Sequence, residues 1–554
     1  MEDQEILDMF RNNPAPPAEN TFEFALVLGG TVSSGAYTAG AMDFIIGALD
    51  AWTRLRDAGE PSAPRHKVLL KTITGTSGGG VNAAIAARAL AFDFPHVVRS
   101  TQNPGPENPF YEVWVNQLDL HPLLDTGDLQ SGQVLSLLSG KAIDEAAAYI
   151  ENFSAQPSMP RSYIADPLLV ILTLTNLRGI PYRTEFGEAG SLWETFVDHA
   201  DFARFDVVYP WQNFNSPRGD EWTVGFDGSA EWSDFSRFAR ATAAFPVGLP
   251  PRQLSRPREH YRYRATVLPG DGSGDISLLA PDWAMMGGET GDYVFVSVDG
   301  GATDNEPIQL ARTSLSGLLG RNPRNGIVAN RGVLLVDPFA GNIGLGEESA
   351  NGLLDVGKGL MDALIQQTRY GSSDILLAQH PDVYSRFMIS AERNGLLGDK
   401  ALATAGFGAF MGFACEAFRR HDYLLGRANA QAYLRNMFVL PEDNVPVFRG
   451  CWTPQQITQH GVPGSDGKTY LPIIPLMGDA AIPEGTDPFP KHMLNPEDFR
   501  SAIEDRFSAI IEAEGSGGLV SSVAAWFLAR MGEGKVADLV VGRMKQSLDE
   551  WGLS

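Results

Sequence analysis

The stretch VLLKTITGTSGGGVNAAIAARALAF, residues 68–92, decides the fold. Its first seven residues, Val68 to Thr74, are apolar and β-branched in the manner of a buried strand, and Val81 to Phe92 are alanine-rich with the spacing of a closely packed helix. Between them lies Gly75-Thr76-Ser77-Gly78-Gly79. A serine on a sharp strand-to-helix turn, with glycines on either side, has its hydroxyl exposed and free of side-chain clashes, which is what a nucleophile needs. The helix that follows aims its free N–H groups and positive dipole end at the same place, favouring negative charge there. A phosphate-binding turn would add a lysine at the helix start. None is present, and Lys71 lies on the strand.

Upstream, Phe22 to Leu28 (FEFALVL) reads as another buried strand, and the glycine-bounded loop Gly29 to Gly35 leads into an apolar-periodic stretch ending near Arg56. The order is βαβα, which predicts an α/β fold with a parallel sheet covered by helices. Leu168 to Leu177, Tyr293 to Val298 and Val333 to Val336 read as further strands, and Arg256 to Asp292 as an insertion or substrate-facing loop. The pattern divides the chain into a flexible N-terminal arm (1–21), an α/β domain (22–344) and a mainly helical C-terminal region (345–554). Within the last, Leu519, Val520, Val523, Trp526, Phe527, Leu528 and Met531 form one apolar helix side suited to docking.

The 554 residues carry 43 basic and 67 acidic side chains, a formal charge of -24 that opposes nucleic acid and anionic membranes. Membrane contact is therefore expected to be peripheral and apolar. The first twenty residues lack the basic and apolar regions of a secretory signal, the two cysteines, Cys415 and Cys451, suit a reducing compartment, and the apolar runs fall short of a membrane span. These features predict a cytoplasmic protein.

A serine nucleophile needs a base. Asp299 closes the strand YVFVSV and opens Asp299-Gly300-Gly301-Ala302-Thr303-Asp304-Asn305-Glu306-Pro307, at the carboxyl edge where open α/β sheets hold their sites. An α/β-hydrolase would instead relay through a histidine after several leading strands. Here only two strands precede Ser77, although His380, His421, His460 and His492 follow Asp299.

With Gly29 to Gly40, Gly75 to Gly79, Ala241 to Pro251 (ATAAFPVGLPP) and Asp299 to Pro307 in this order, the chain resembles the patatin-like phospholipases over roughly residues 22–340. The resemblance implies a three-layer α/β/α domain with a mostly parallel sheet. It also implies hydrolysis of lipid or phospholipid esters by a Ser77–Asp299 dyad, with no metal and no cofactor. By the same resemblance, Gly75 and Gly79 are expected to shape the nucleophile elbow, and the backbone N–H groups of Gly30, Thr31 and Val32 to receive the oxyanion. The family's loop reads Gly-Gly-Gly-x-Arg/Lys-Gly, whereas this chain has Gly30-Thr31-Val32-Ser33-Ser34-Gly35. A β-branched residue disfavours positive φ, so Val32 can serve there only if the loop runs with an ordinary negative φ. The departures at Thr31, Val32 and Ser34 carry a second reading, a patatin-fold lipid-binding or interaction protein that is catalytically weak or inactive. His96 reads as a cap or surface histidine, and Trp114 as core.

Overall fold

Strand β1 (Thr21–Leu28) shows how the sheet is sandwiched. Phe22, Phe24, Leu26 and Leu28 point into a large core shared with helix α2 (Gly35–Asp57) and helix α3 (Gly78–Ala89), while Ala25 and Val27 point to the other face. There they meet Ile308, Ala311 and Leu315 of helix α6 (Ile308–Ser316). The period-2 alternation of a strand buried on both faces thus produces helix, sheet and helix layers. Each fully buried Phe or Leu contributes about 1.5–3 kcal/mol.

The structure is a computed structural model that describes residues 2–12, 14–98, 107–131, 134–155, 158–186, 192–213, 218–226, 231–267, 275–288, 290–339, 385–515 and 533–554. Among these, the central sheet has nine strands. After β1 come β2 (Lys67–Gly75), β3 (Ile164–Phe186), β4 (Leu192–Val207), β5 (Glu221–Val224), β6 (Arg252–Pro257), β7 (Asp292–Asp299), β8 (Arg331–Val336) and β9 (Arg386–Ile389). Their order is β9-β8-β1-β2-β3-β4-β5, with β7 pairing with β3 and β6. The pairs from β9 through β3 are parallel, as is β4 with β5, and the remaining three are antiparallel. This is the mostly parallel three-layer architecture expected.

Helices α4 (Lys141–Asn152) and α5 (Glu231–Thr242) lie beside α3. The helical C-terminal region contains α7 (Glu416–Asn436), α8 (Arg500–Gly515) and α9 (Glu533–Trp551). α7 packs along α2 with backbones almost touching: a Cβ on Gly40 would stand 1.9 Å from Tyr423 O, and one on Gly426 2.1 Å from Tyr37 O. The buried Arg427–Asp43 ion pair joins the same two helices. The boundary drawn at 344 cuts this unit, because β9, from beyond it, extends the sheet.

The N-terminal arm also differs from expectation, since Asp3–Arg11 forms helix α1. Acidic Asp3 and Glu5 at its start and Arg11 at its end suit the helix dipole, Ile6 is buried, and Asp3 pairs with Arg262 at 2.6 Å. The apolar side at 519–531 and His380 lie outside the described residues. No described helix is long and apolar enough to cross a membrane.

Candidate active site

Sheet register brings the two motifs together. Leu28, Gly75 and Leu172 are neighbours across β1, β2 and β3, and two residues further along β3 Leu174 stands opposite Asp299. Ser77 is likewise two residues past Gly75, so hydroxyl and carboxylate reach the same level of one sheet edge. Ser77 itself adopts φ 53°, ψ -126°, a strained conformation of the kind that lifts a side chain out of a βα turn. Gly79 permits it: a Cβ there would lie 2.1 Å from Leu28 O and 2.5 Å from Gly29 O.

The Ser77 hydroxyl donates to Asp299 Oδ2 at 2.5 Å. Asp299 Oδ1 accepts the Gly301 N–H at 2.8 Å, and its backbone O accepts the Thr175 hydroxyl at 2.8 Å. Both residues are buried, Ser77 at 8% and Asp299 at 4% exposure. Burial raises the Asp299 pKa to about 6, against the opposing hydrogen bonds from Ser77 and Gly301. The ATAAFPVGLPP stretch ties the two together. Thr242 Oγ1 accepts the Ser77 N–H at 3.1 Å, and Ala244 O accepts the Asp299 N–H at 2.9 Å. Thr76 adds a bridge to Thr173 at 2.7 Å and to Asp304 O at 3.1 Å. Among the described residues no histidine bonds to Ser77 or Asp299. His421 instead pairs with its neighbour Asp422 at 2.7 Å.

The sequence model of the family described as Patatin-like phospholipase matches residues 26–312, a span that holds Ser77, Asp299 and the Gly30 loop. The chain belongs to the patatin-like phospholipase family. It is also 32% identical over 541 residues to uncharacterized protein y4iI of Sinorhizobium fredii (strain NBRC 101917 / NGR234), an alignment covering 89% of this chain and 75% of that protein. A crystal structure of VipD from Legionella pneumophila aligns over 96% of this chain and 88% of that chain, with 10% identity and a TM-score of 0.23. At that score it carries no weight, and the fold rests on the sheet and the family match.

The loop at Gly30 differs from the expectation for a patatin-like chain in two ways. The Gly30 N–H is taken by Asn305 O at 3.3 Å, because the turn after Asp299 runs directly beside it. Val32, the first residue of a short 3₁₀ turn (Val32–Ser34), has φ 48°, a positive value that its β-branched side chain disfavours. The N–H groups of Thr31 and Val32, and of Gly78 and Gly79 at the start of α3, have no acceptor among the described residues. These four are the donors left for a negative charge beside Ser77.

Trp114 is buried with its ring against Gly35 and Gly78, so this core residue also forms a wall of the loop. His96 is neither cap nor surface group. It sits between Asp43, at 2.7 Å, and Asp50, at 3.7 Å, and Arg161 pairs with the same Asp50 oxygen at 2.8 Å. Burial opposes its charge, but the two aspartates outweigh burial and raise its pKa to about 9. Thr242, Thr76, Asn305 and Trp114 were silent in the sequence as site residues. Only the positions of Thr76, Thr242 and Asn305 inside the motifs Gly75–Gly79, Ala241–Pro251 and Asp299–Pro307 pointed to them.

Proposed function

We propose that this patatin-like chain is a lipid acyl hydrolase of the phospholipase or lysophospholipase type, working through a Ser77–Asp299 dyad and an acyl-enzyme. The 2.5 Å contact between the Ser77 hydroxyl and a buried carboxylate carries this reading. As Ser77 Oγ bonds to the ester carbonyl carbon, its proton passes to Asp299. The carbonyl oxygen becomes an oxyanion held by N–H groups of Thr31, Val32 and Gly78. Collapse of the tetrahedral intermediate expels the alcohol, which leaves with the proton from Asp299. Water then attacks the acyl-enzyme as Asp299 takes its proton; the second tetrahedral intermediate collapses, the bond from Ser77 Oγ to the acyl carbon breaks, Asp299 returns the proton to Ser77 Oγ, and the fatty acid departs. An aspartate raised to about 6 is a better base than a solvated one and is still ionised at neutral pH.

A small apolar cavity of about 30 Å³, lined by Val81 and Ala84 of α3, Ile143 and Ile150 of α4, and Trp232 and Phe235 of α5, lies beside the helix that follows Ser77. Val81 is one helical turn from Ser77, whose carbonyl its N–H reaches at 3.1 Å. The setting is cytoplasmic, with peripheral, apolar contact at lipid surfaces.

One observation favours the second reading, a patatin-fold lipid-binding protein with weak catalysis: the Gly30 N–H is already committed to Asn305. Turnover of a short-chain nitrophenyl ester by wild type, Ser77→Ala and Asp299→Ala separates the two. The hydrolase reading expects both variants to lose about 10²-fold or more, whereas equal turnover by all three removes it.

A further inference from the structure

The loop that departs most from its family is also the one the C-terminal region grips. A valine at φ 48° is disfavoured by about 1–3 kcal/mol and persists only where its surroundings hold it. The two residues that follow are tied down. Ser33 Oγ donates to Ala409 O at 2.5 Å and accepts the Gly412 N–H at 3.1 Å. Ser34 Oγ lies 2.7 Å from Thr404 Oγ1. The Thr404 hydroxyl donates to Asp422 Oδ2 at 2.6 Å, which leaves the Thr404 oxygen to accept from Ser34. Asp422 also accepts the N–H groups of Ala403, at 3.0 Å, and Thr404, at 2.8 Å, fixing that turn. Ser33, Ser34, Thr404 and Asp422 are all fully buried.

The gripping segment is bent as well. Phe407 and Ala409 have φ 48° and 66°, and Phe410 stacks edge-on against Phe245 of the stretch that ties Ser77 to Asp299, with ring centroids 5.5 Å apart. Asp422 belongs to α7, the helix in backbone contact with α2, and α2 begins where the loop ends. Ser34 stands where the family pattern has a basic residue, so here a hydroxyl reaching Thr404 occupies that position.

We propose that Ser33, Ser34, Thr404 and Asp422 are positioning residues: they hold Val32 in its positive-φ conformation, so that the C-terminal region completes the oxyanion loop. The inference rests on the Ser77–Asp299 reading. Oxyanion donors act chiefly in the transition state, so slackening the loop lowers kcat and leaves KM nearly unchanged.

The test uses the full chain and a short-chain nitrophenyl ester. Thr404→Val is expected to lower kcat by about 10²-fold with KM within about twofold, and Thr404→Ser to retain activity. Ser34→Ala removes the same hydrogen bond from the loop side and is expected to behave alike, should Thr404→Val fold poorly. Adding Val32→Gly to either variant is expected to restore most of the lost kcat, because glycine takes a positive φ unaided. General damage to the fold would not be repaired by that glycine. Wild-type kcat in both Thr404→Val and Ser34→Ala, or a loss that Val32→Gly leaves in place, overturns the proposal. Ser77→Ala measured alongside separates the failures. If it turns over like wild type, the dyad falls and this inference with it. If it is dead while both brace variants are normal, only the brace falls.

Discussion

Leu174 and Asp299 stand directly opposite each other across β3 and β7, two residues beyond the Gly75–Leu172 pair that joins β2 to β3. That offset sets the carboxylate at the height of Ser77, which is also two residues past Gly75. A parallel strand delivers Ser77 to this edge and an antiparallel one Asp299. The 2.5 Å contact follows from register, with no third residue between them.

Because burial raises Asp299 to about 6, activity should depend on its ionisation. We expect kcat/KM for a neutral ester to rise with pH, reach half its plateau near pH 6 and stay level to about pH 8. A profile with its midpoint at about 4 would mean that Asp299 is not the titrating base.

The same shift costs stability. Between about pH 4 and 6 the folded chain binds more protons at Asp299 than the unfolded one, so this contribution falls as pH rises and stays unfavourable above 6. Asp299→Asn should therefore be inactive yet more stable at pH 8, by up to about 3 kcal/mol. Melting curves at pH 8 that place the variant below wild type would contradict this.

His96 has the opposite sign. Its pKa is raised from 6.5 to about 9, so the stability it lends through Asp43 and Asp50 is full below pH 6.5 and is lost as pH climbs through 9. The wild-type Tm should drop between pH 7 and pH 9.5 by more than that of His96→Gln, which starts lower, by roughly 3 kcal/mol, at pH 7. Parallel Tm profiles would rule the network out as a source of stability.

At Gly79 the contacts are with backbone, which cannot swing aside. Gly79→Ala should lower stability by about 3 kcal/mol and abolish esterase activity, since a Cβ there pushes on Leu28 O and Gly29 O, at the root of the oxyanion loop. A denaturant titration and an ester assay on the same preparation check both halves.

Much of this was legible residue by residue. Phe22 to Leu28 and Val68 to Thr74 announce buried strands by composition, and the glycines around Ser77 announce a turn that no side chain obstructs. Asp299 was legible as a strand end. What joins these pieces is long-range and leaves no local mark. The β3–β7 register relates residues more than a hundred positions apart, and the Ser34–Thr404 contact spans 370. Strand β9 is only four residues long, and its neighbour β8 is what makes it a strand. His96 looked ordinary because Asp43 and Asp50 approach it only when α2 folds. Val32 was read from its intrinsic preference for negative φ, and tertiary contacts overrode that preference.

We propose that Ser77 is a nucleophile activated by Asp299. This is tested most directly by treating the intact protein with a fluorophosphonate and locating the adduct by peptide mass spectrometry. One adduct is expected, on Ser77, absent in Ser77→Ala and formed about 10²-fold or more slowly in Asp299→Ala. No adduct, or an adduct on another serine at the wild-type rate in both variants, would contradict it.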